Sequence, residues 1–234
     1  MKHEENLELL KLFNGLRVTD CRDGMDWIGY HHYGSVSNEF RPLFRASALG
    51  IAKTARYLPF EGPTPKTAPE EYMAYVGDYY SKIGTEPWAA DLQPGDFVCL
   101  DLAGTIDIGV IGSANSLYHK KNGCVGYLLN GGVRDTDEVI DQEIPVWSKY
   151  ISQNMIQGRG RCYEKDIPIA IGGVAIYPGD VVVADNDGVI VIPRKLAPNV
   201  AKWAREEAAR DRIGRRGMFL ELGIELDESV QDLK

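Results

Sequence analysis

The sequence predicts a layered α/β fold. Apolar runs of strand length occur at 97–102, 124–129 and 181–184, and stretches with helical periodicity follow at 113–121 and 197–214. Strands that alternate with helices of these lengths are typical of a sheet covered by helices. No glycine-rich dinucleotide fingerprint follows the first strand and no P-loop is present, so the sequence gives no indication of a nucleotide site.

The N-terminal third is predicted to contain three helices and one strand. Apolar residues at helical spacing predict a first helix over 4–16, and Thr19 or Asp20 is the expected N-cap of a second one. An Ala-, Ile- and Leu-rich stretch at 46–58 predicts a strand. Prolines then indicate a loop, and the spacing in 69–83 predicts an inserted helix over the core.

The rest of the chain is punctuated by clear turn signals. Pro-Gly-Asp turns precede strands at 93–96 and 177–180, and we attribute their similarity to common turn chemistry rather than to duplication. Asn122-Gly123 is a good end for the helix at 113–121. Residues 185–188 form a tight turn between two apolar runs, which predicts a β-hairpin over 181–193.

Composition limits the function classes. The 234 residues fit one domain with a substantial core, and a net charge of −8 argues against a nucleic-acid groove. The four cysteines show no CxxC spacing, which disfavours a structural zinc site or a disulfide framework. No apolar stretch is long enough to span a membrane, and the first residues lack the apolar centre of a signal peptide. We therefore expect a cytoplasmic protein without nucleic-acid or membrane partners.

The segment 126–139, GYLLNGGVRDTDEV, carries the clearest chemistry. We expect the buried strand to end in a turn at Gly131 and Gly132, where backbone N–H groups could approach a ligand. Arg134 offers a planar fork for a carboxylate, and Asp135 offers a hard oxygen for Mg²⁺ or Mn²⁺. Glu138 follows three positions later. On residue types alone, a glycine turn with a surface ion pair explains the segment equally well.

Other polar residues are weaker candidates. Asp185 and Asp187 are expected to serve the hairpin turn rather than a metal, and the pair His31 and His32 to lie in a loop. Asp101, at the end of an apolar strand, is a candidate for supporting the site.

Three further residues are weak candidates for catalysis. Lys53 could form a Schiff base, but its surroundings in the sequence give it no special partner. Glu206 and Glu207 lie on the late helix, where acids are usually solvated.

Longer motifs resemble a known family. The run GYLLNGGVRDTDE, the helix that begins after Gly112, and PGDVVVADNDGVIVIP at 178–193 are similar to the RraA-like proteins. That family includes 4-hydroxy-4-methyl-2-oxoglutarate aldolases, which also decarboxylate oxaloacetate, and the regulator of ribonuclease E activity. The resemblance covers about 16–214. It implies a single domain over 1–234 with three additions, namely an N-terminal helical extension at about 1–16, a longer inserted segment at about 61–90, and a C-terminal helix and tail at about 197–234.

The resemblance implies an α-β-β-α sandwich of the swivelling β/β/α type, assembled as a ring-shaped homotrimer with active sites between protomers. Arg134, Asp135 and Glu138 match the aldolase pattern residue by residue. By analogy, Arg134 holds the carboxylate of a 2-oxo acid and Asp135 holds the metal, largely through water. An acid on the late helix of a neighbouring protomer, Glu206 or Glu207, is a weaker carry-over.

One segment departs from the family pattern. The aldolases carry a glycine, an acid and a substrate-binding pair at the start of the helix before the Arg-Asp strand. This chain has Gly112, Ser113, Ala114 and Asn115 there. The helix terminus can still bind an anion, and Ser113, which replaces the acid, could serve as an N-cap.

The predicted function is a divalent-metal-dependent carbon–carbon lyase that acts on a small anionic 2-oxo acid, by retro-aldol cleavage or decarboxylation, to give pyruvate or a similar product. Two alternatives stay open. One is a non-catalytic protein-binding regulator, and the other is a different lyase or hydro-lyase acting on a sugar-derived acid. Pairing of trimers into hexamers also stays open.

Overall fold

The computed structural model describes residues 3–103 and 107–231. Within these ranges it contains six α-helices: α1 (His3–Lys11), α2 (Val18–Trp27), α3 (Tyr72–Lys82), α4 (Ser113–Lys121), α5 (Thr136–Asp141) and α6 (Ala197–Leu222). The strands are β1 (Arg41–Pro42), β2 (Ala48–Pro59), β3 (Asp96–Asp101), β4 (Gly109–Ile111), β5 (Cys124–Val133), β6 (Val146–Ile151), β7 (Gly160–Lys165), β8 (Ile169–Ile171), β9 (Val174–Ile176), β10 (Val181–Asp185) and β11 (Gly188–Ile192).

Most strands belong to one mixed sheet. Its order is β1-β6-β5-β3-β2-β10-β11, with β4 paired to β5 and β7 paired to β2, while β8 and β9 form a separate hairpin. The central strands β2, β3, β5 and β6 are parallel neighbours, and β10 and β11 join the edge of β2 as an antiparallel hairpin. The sheet therefore has a parallel half and an antiparallel half.

Alternation of side chains along the strands builds three apolar clusters. In the parallel half, Val98 and Leu100 face an outer cluster with α5, whereas Phe97 and Cys99 face an inner cluster. In the antiparallel half, the odd and even residues of β10 divide in the same way between an outer cluster, which includes α1, α2 and α6, and that same inner cluster. The predicted α/β fold is thus confirmed, with helices packed on one side of the strands and a strand-lined cluster on the other.

The outer helices α2 and α6 pack unusually closely. A Cβ atom placed on Gly24 would lie 2.6 Å from the carbonyl oxygen of Val200 and 2.9 Å from the amide nitrogen of Ala204. Gly24 therefore lets the two helix backbones approach each other. Helix α6 continues to Leu222, eight residues beyond the predicted end, and Gly223 ends it in the left-handed conformation.

Several predictions about local structure are confirmed. The strand from 46, the helix in the inserted segment, the helix over 113–121 and the hairpin over 181–193 all form, with ends shifted by a few residues. Both Pro-Gly-Asp segments make the same turn, because Asp96 and Asp180 each accept the N–H of the residue three positions earlier. The outer ends of the predicted extension and tail, 1–2 and 232–234, lie outside the described residues.

Three predictions about local structure are wrong. The first helix ends at Lys11 rather than near Leu16. The second is preceded by Arg17 as its N-cap, and Asp20 instead accepts hydrogen bonds from the backbone and the side chain of Arg17. Gly131 and Gly132 form no turn, since β5 runs through both of them to Val133.

None of the described helices is long and apolar enough to cross a lipid bilayer.

Candidate active site

A cleft of about 440 Å³ opens where β4 and β5 end. Arg134 and Asp135, which follow β5, line this cleft together with Gly109 and Gly112 at the two ends of β4. The carboxyl ends of adjacent parallel strands are where ligand sites of α/β proteins usually lie. The structure thus brings the predicted Arg-Asp pair and the start of α4 to one place.

Asp135 has a left-handed backbone, with φ 51° and ψ 45°. This conformation turns the chain from β5 into α5, and aspartate adopts it more readily than most residues that carry a Cβ atom. Its carboxylate accepts the Nε–H of Arg134 at 3.1 Å on Oδ1, and the N–H of Ser113 at 3.2 Å on Oδ2. The turn expected at Gly131 and Gly132 therefore occurs later, at Asp135, which has the positive φ.

The charge of Asp135 is stabilised by these contacts. Partial burial opposes ionisation, but the hydrogen bonds from Arg134 and Ser113 outweigh it and hold the pKa of the Asp135 carboxyl below its ordinary value. A third of the side chain stays exposed. Asp135 therefore presents a charged carboxylate to the cleft at neutral pH.

Two glycines make room for the Arg-Asp pair. A Cβ on Gly109 would lie 2.6 Å from Cβ of Arg134, and one on Gly112 would lie 2.6 Å from Oδ2 of Asp135. Both distances are shorter than van der Waals contact, so any larger residue would displace the side chains of Arg134 and Asp135. Sequence reasoning identified Gly112 but missed Gly109.

The start of α4 forms one wall. Gly112 is the N-cap, with an extended backbone, and its N–H donates to Oδ1 of Asn115 at 2.8 Å. The expectation that Ser113 is the N-cap is wrong, because Ser113 is the first helical residue and its N–H and hydroxyl both donate to Asp135. Ala114 and Asn115 line the cleft, and the first amides of a helix have no partner within the helix.

Gly131 and Gly132 serve the packing of the sheet. A Cβ on Gly131 would meet the Leu102 side chain at 2.7 Å, and one on Gly132 would lie 2.7 Å from the carbonyl oxygen of Ile108. Both glycines are buried in β5, and neither is among the residues that line the cleft. Their small size sets the separation of neighbouring strands.

Glu86, which the sequence analysis did not single out, lines the cleft in place of the predicted Glu138. Glu138 is exposed on α5 and does not line the cleft within one chain. Glu86, from the inserted segment, does line it, together with Tyr80. Burial raises the pKa of Tyr80, so its phenol remains protonated at neutral pH. The only local signal for Glu86 is its position before the Pro87-Trp88 pair.

The weaker candidates have structural roles. Asp185 accepts the N–H of Val18 at 2.9 Å and that of Asp187 at 2.8 Å, which confirms the turn interpretation and adds a contact to the start of α2. Asp101 binds Arg56 and accepts the N–H of Ala103. The side chains of His31 and His32 are exposed and lie outside the cleft lining.

The remaining candidates also lie elsewhere. Lys53 pairs with Asp166 at 3.0 Å and is not part of the cleft. Glu207 accepts the indole N–H of Trp27 and pairs with Arg210, while Glu206 is exposed on α6. Within one chain neither acid reaches the Arg-Asp pair.

The donor set fits a lightly held hard cation. Among the described residues, no group of three or more His, Cys, Asp or Glu side chains is arranged to enclose a metal ion. Mg²⁺ is commonly held by one or two carboxylates and keeps several waters, so a dense cluster is not required. Asp135 supplies a charged carboxylate in an open cleft, and this chemistry suits Mg²⁺ or Mn²⁺ better than a metal that prefers sulfur or imidazole.

Comparison with known proteins agrees with this geometry. A family model described as "RraA-like: Aldolase/RraA" matches residues 18–191, a stretch that includes the cleft residues from α3 to the end of β5 and beyond. The chain belongs to the RraA-like family. The resemblance noted in the sequence is thus confirmed.

Two curated relatives of this RraA-like chain carry names. A Halalkalibacterium halodurans protein named "Putative 4-hydroxy-4-methyl-2-oxoglutarate aldolase" is 30% identical over 130 residues, which are 55% of this chain and 60% of that protein. Protein DlpA of Legionella pneumophila is 35% identical over 209 residues, which are 88% of this chain and 31% of that protein. The matched regions therefore span less than two thirds of either relative.

Solved structures share the fold. The Streptomyces coelicolor protein RraAS2, described as an unusual member of the RNase ES inhibitor RraA protein family, has a TM-score of 0.70 at 23% identity. The alignment covers 89% of this chain and 96% of that one. Likeness at this identity establishes the mixed α/β architecture and leaves the chemistry to the residues of the cleft.

Proposed function

We propose that this RraA-like protein is a divalent-metal-dependent carbon–carbon lyase that acts on a small 2-oxo acid and releases pyruvate or a similar product. The observation that carries the proposal is the placement of Arg134 and Asp135. A cation and a charged hard-oxygen ligand stand side by side at the mouth of one cleft, against the start of a helix. Curated relatives named as aldolases support the same reaction class.

Arg134 and the start of α4 would bind the substrate's carboxylate. Asp135 engages Arg134 through Nε, and among the described residues no hydrogen bond uses the two terminal nitrogens, which would bind an incoming carboxylate. The amides of Ala114 and Asn115 add the favourable potential of a helix N-terminus. The substrate would thereby be fixed by its 2-oxo acid end.

Asp135 would hold Mg²⁺ or Mn²⁺. When bound, the metal supplies a Lewis acid for the 2-oxo group. In a retro-aldol cleavage the hydroxyl on C4 loses its proton, the C3–C4 bond breaks, and the bond electrons form the enolate of pyruvate, which then takes up a proton at C3. In decarboxylation, carbon dioxide leaves C3 and gives the same enolate. Arg134 adds positive potential where this negative charge develops.

Proton transfer by Glu138 would require a second copy of the chain. Glu138 is exposed and outside the cleft in one protomer, so a role in proton transfer or water orientation depends on the homotrimer implied by the family. Exposed apolar side chains on the second half of α6, including Ile213, Met218 and Leu222, support self-association. We propose a trimer, because the family resemblance implies three copies and the exposed apolar residues of α6 offer a surface for their contact.

A regulator without catalysis is the second candidate. The solved structure of RraAS2, whose description names an RNase inhibitor family, shares the fold. A purely protein-binding role would not require a carboxylate held in a left-handed conformation beside an arginine within a cleft. The Asp135 geometry therefore favours the lyase, or a related lyase or hydro-lyase for a sugar-derived acid.

The test is pyruvate release from oxaloacetate and from a panel of 4-hydroxy-2-oxo acids, with Mg²⁺ or with a chelator. We expect turnover of at least one panel member that the chelator abolishes. Asp135→Asn should lower the rate by roughly a hundredfold, because it removes the charged ligand while asparagine tolerates the left-handed backbone.

The matched control is Asp187→Asn, at an exposed aspartate remote from the cleft, which should retain wild-type activity. Activity that persists in chelator, or in Asp135→Asn, would overturn the metal-dependent mechanism. Absence of pyruvate from every panel member would overturn the reaction class and favour the regulator.

A further inference from the structure

The inserted segment brings a second carboxylate into the cleft. Residues between β2 and β3 pass over the sheet, and the side chain of Trp88 anchors the passage. Trp88 is fully buried, its indole N–H donates to the Tyr57 hydroxyl at 3.0 Å, and its ring lies 4.6 Å from that of His119. Glu86, two residues before this anchor, is therefore held in place rather than carried on a loose loop.

Two residues of α4 orient the Glu86 side chain. Asn115 Nδ2 donates to Oε1 at 3.0 Å, and Nε2 of His119 lies 3.2 Å from Oε2. His119 is completely buried and its Nδ1 lies 3.1 Å from the Tyr127 hydroxyl. The tautomer with the proton on Nε2 satisfies both contacts, because Nε2 then donates to Glu86 and Nδ1 accepts from Tyr127.

Glu86 retains capacity for a ligand. A carboxylate has about four lone-pair positions, and one neighbour occupies each oxygen here. A quarter of the side chain is exposed, and it lines the same cleft as Arg134 and Asp135. The same Asn115 amide that holds Glu86 also accepts the N–H of Gly112 through Oδ1. Glu86 is thus fixed with respect to the wall against which the 2-oxo acid end would bind.

The charges of the cleft discriminate between substrate tails. Among the described residues that line it, Arg134 is the one cation, and it already faces Asp135, while Glu86 adds a second negative charge. A second carboxylate on the substrate would be repelled by Glu86 in a partly desolvated space. A hydroxyl would instead donate to Glu86 and could accept from the neutral phenol of Tyr80.

We infer that Glu86 binds the tail of the substrate, and that this substrate is a 2-oxo acid with one carboxylate and a hydroxylated tail, the class of 3-deoxy sugar acids. The inference rests on the proposed function, since it assumes that the 2-oxo acid end lies against Arg134. It narrows the substrate class, because dicarboxylic 2-oxo acids should bind poorly.

The test uses two unreactive ligands that differ at the tail, 2-oxoglutarate and 5-hydroxy-2-oxopentanoate. Neither carries a hydroxyl on C4, so neither can undergo retro-aldol cleavage. Their dissociation constants are measured by calorimetry on the full chain with Mg²⁺ present. We expect the hydroxylated ligand to bind at least about tenfold more tightly to the wild type, as one unfavourable charge contact predicts.

Variants separate the role of Glu86 from that of the fold. Glu86→Gln keeps an acceptor and removes the charge, and we expect the two affinities to come within about threefold of each other. Glu70→Gln, at an exposed acid of the same inserted segment, should keep the wild-type ratio. In steady-state kinetics on the wild type, a 4-hydroxy-2-oxo acid with one carboxylate and a hydroxylated tail should have a higher kcat/KM than the dicarboxylic 4-hydroxy-2-oxoglutarate.

Each outcome has one meaning. Equal or tighter binding of 2-oxoglutarate by the wild type would overturn the substrate class, and this measurement needs no variant that must fold. A wild-type ratio that survives in Glu86→Gln would overturn the assignment of Glu86 and leave the lyase standing. If neither ligand binds and no panel member yields pyruvate, both the inference and the proposed function fail.

Discussion

Aspartates stand in similar local sequences at the end of β5 and at the turn between β10 and β11, but their hydrogen-bond partners and backbone conformations differ. At both positions an apolar strand leads to an Asp within a short polar segment. Asp185 has one oxygen on the N–H of Val18 and the other on the N–H of Asp187, so it holds the hairpin to α2. Asp135 accepts the Nε–H of Arg134 on Oδ1 and the N–H of Ser113 on Oδ2, and it lines the cleft where β4 and β5 end.

The comparison shows that the residues around a carboxylate decide its role. Asp135 owes its position to a left-handed backbone and to the missing Cβ atoms of Gly109 and Gly112. Asp185 lies in a strand-to-turn position with ordinary hairpin geometry and contacts a helix start 167 residues away. The first arrangement leaves a carboxylate accessible in the cleft, whereas the second ties the hairpin to the start of α2.

Filling the space beside Asp135 should have the largest effect. Gly112→Ala places a methyl group 2.6 Å from the position of Oδ2 of Asp135 and must displace the carboxylate. The backbone of Gly112 is extended, so alanine causes no strain there by itself. We expect the rate of pyruvate release to fall by about a hundredfold, which is typical for a misplacement of about 1 Å. Steady-state kinetics on the panel substrate measures it.

The control for this change is Gly77→Ala in α3. A Cβ at Gly77 would meet no atom within 4 Å, so activity should be unchanged and stability should rise by a few tenths to about 1 kcal/mol. Wild-type activity in Gly112→Ala would contradict the role assigned to the cleft geometry.

Breaking the structural aspartate should affect stability instead. Asp185→Ala removes the acceptor for the N–H of Val18 at the start of α2, and helix-start acceptors contribute about 1 kcal/mol. Urea denaturation should show a free energy of unfolding lower by about that amount, with activity per folded molecule unchanged. Asp187→Ala, at an exposed position, should change stability by less than about 0.5 kcal/mol. A loss of activity in Asp185→Ala at full stability would mean that this turn belongs to the site.

Sequence reasoning predicted residues that lie close together when the motif itself is local. Residue types indicated the Arg134-Asp135 pair and the family resemblance indicated Gly112, and the structure places all three at one cleft. Glu86 was missed because its contact with Asn115 joins residues 29 positions apart, through an inserted segment whose path depends on the burial of Trp88. No spacing rule predicts such a contact.

The glycine pair shows a different limit. Gly131 and Gly132 were interpreted as a turn because glycine is typical of turns, but glycine also permits close strand packing, and here that second cause applies. Strands β6 to β9 were not predicted either. They are short, and β7 carries the charged residues Arg161, Glu164 and Lys165, so their pairing partners rather than their own composition determine them.

The smallest expected effect is a difference in titration between aspartates. Hydrogen bonds from Arg134 and Ser113 outweigh burial and lower the pKa of Asp135, whereas burial raises the pKa of Asp96 and of Asp180 despite their backbone hydrogen bonds. Carboxyl carbon shifts followed by NMR should therefore show Asp135 titrating below, and the two turn aspartates above, the ordinary value of about 3.9.

These pKa differences also set how each aspartate changes stability with pH. The charge of Asp135 stabilises the fold above the unfolded-state pKa, and this contribution is lost as pH falls through the lower folded-state pKa. For Asp96 and Asp180 the pH dependence of stability is opposite, because the folded state binds the proton more readily and acidification through the raised pKa relieves the cost of a buried charge.

In Ser113→Ala, which removes the hydroxyl but keeps the N–H donor, the pKa of Asp135 should rise slightly and stay below the ordinary value. A pKa of Asp135 above 3.9 in the wild type would show that Arg134 and Ser113 do not hold its charge, and would remove the distinction between this aspartate and the structural ones.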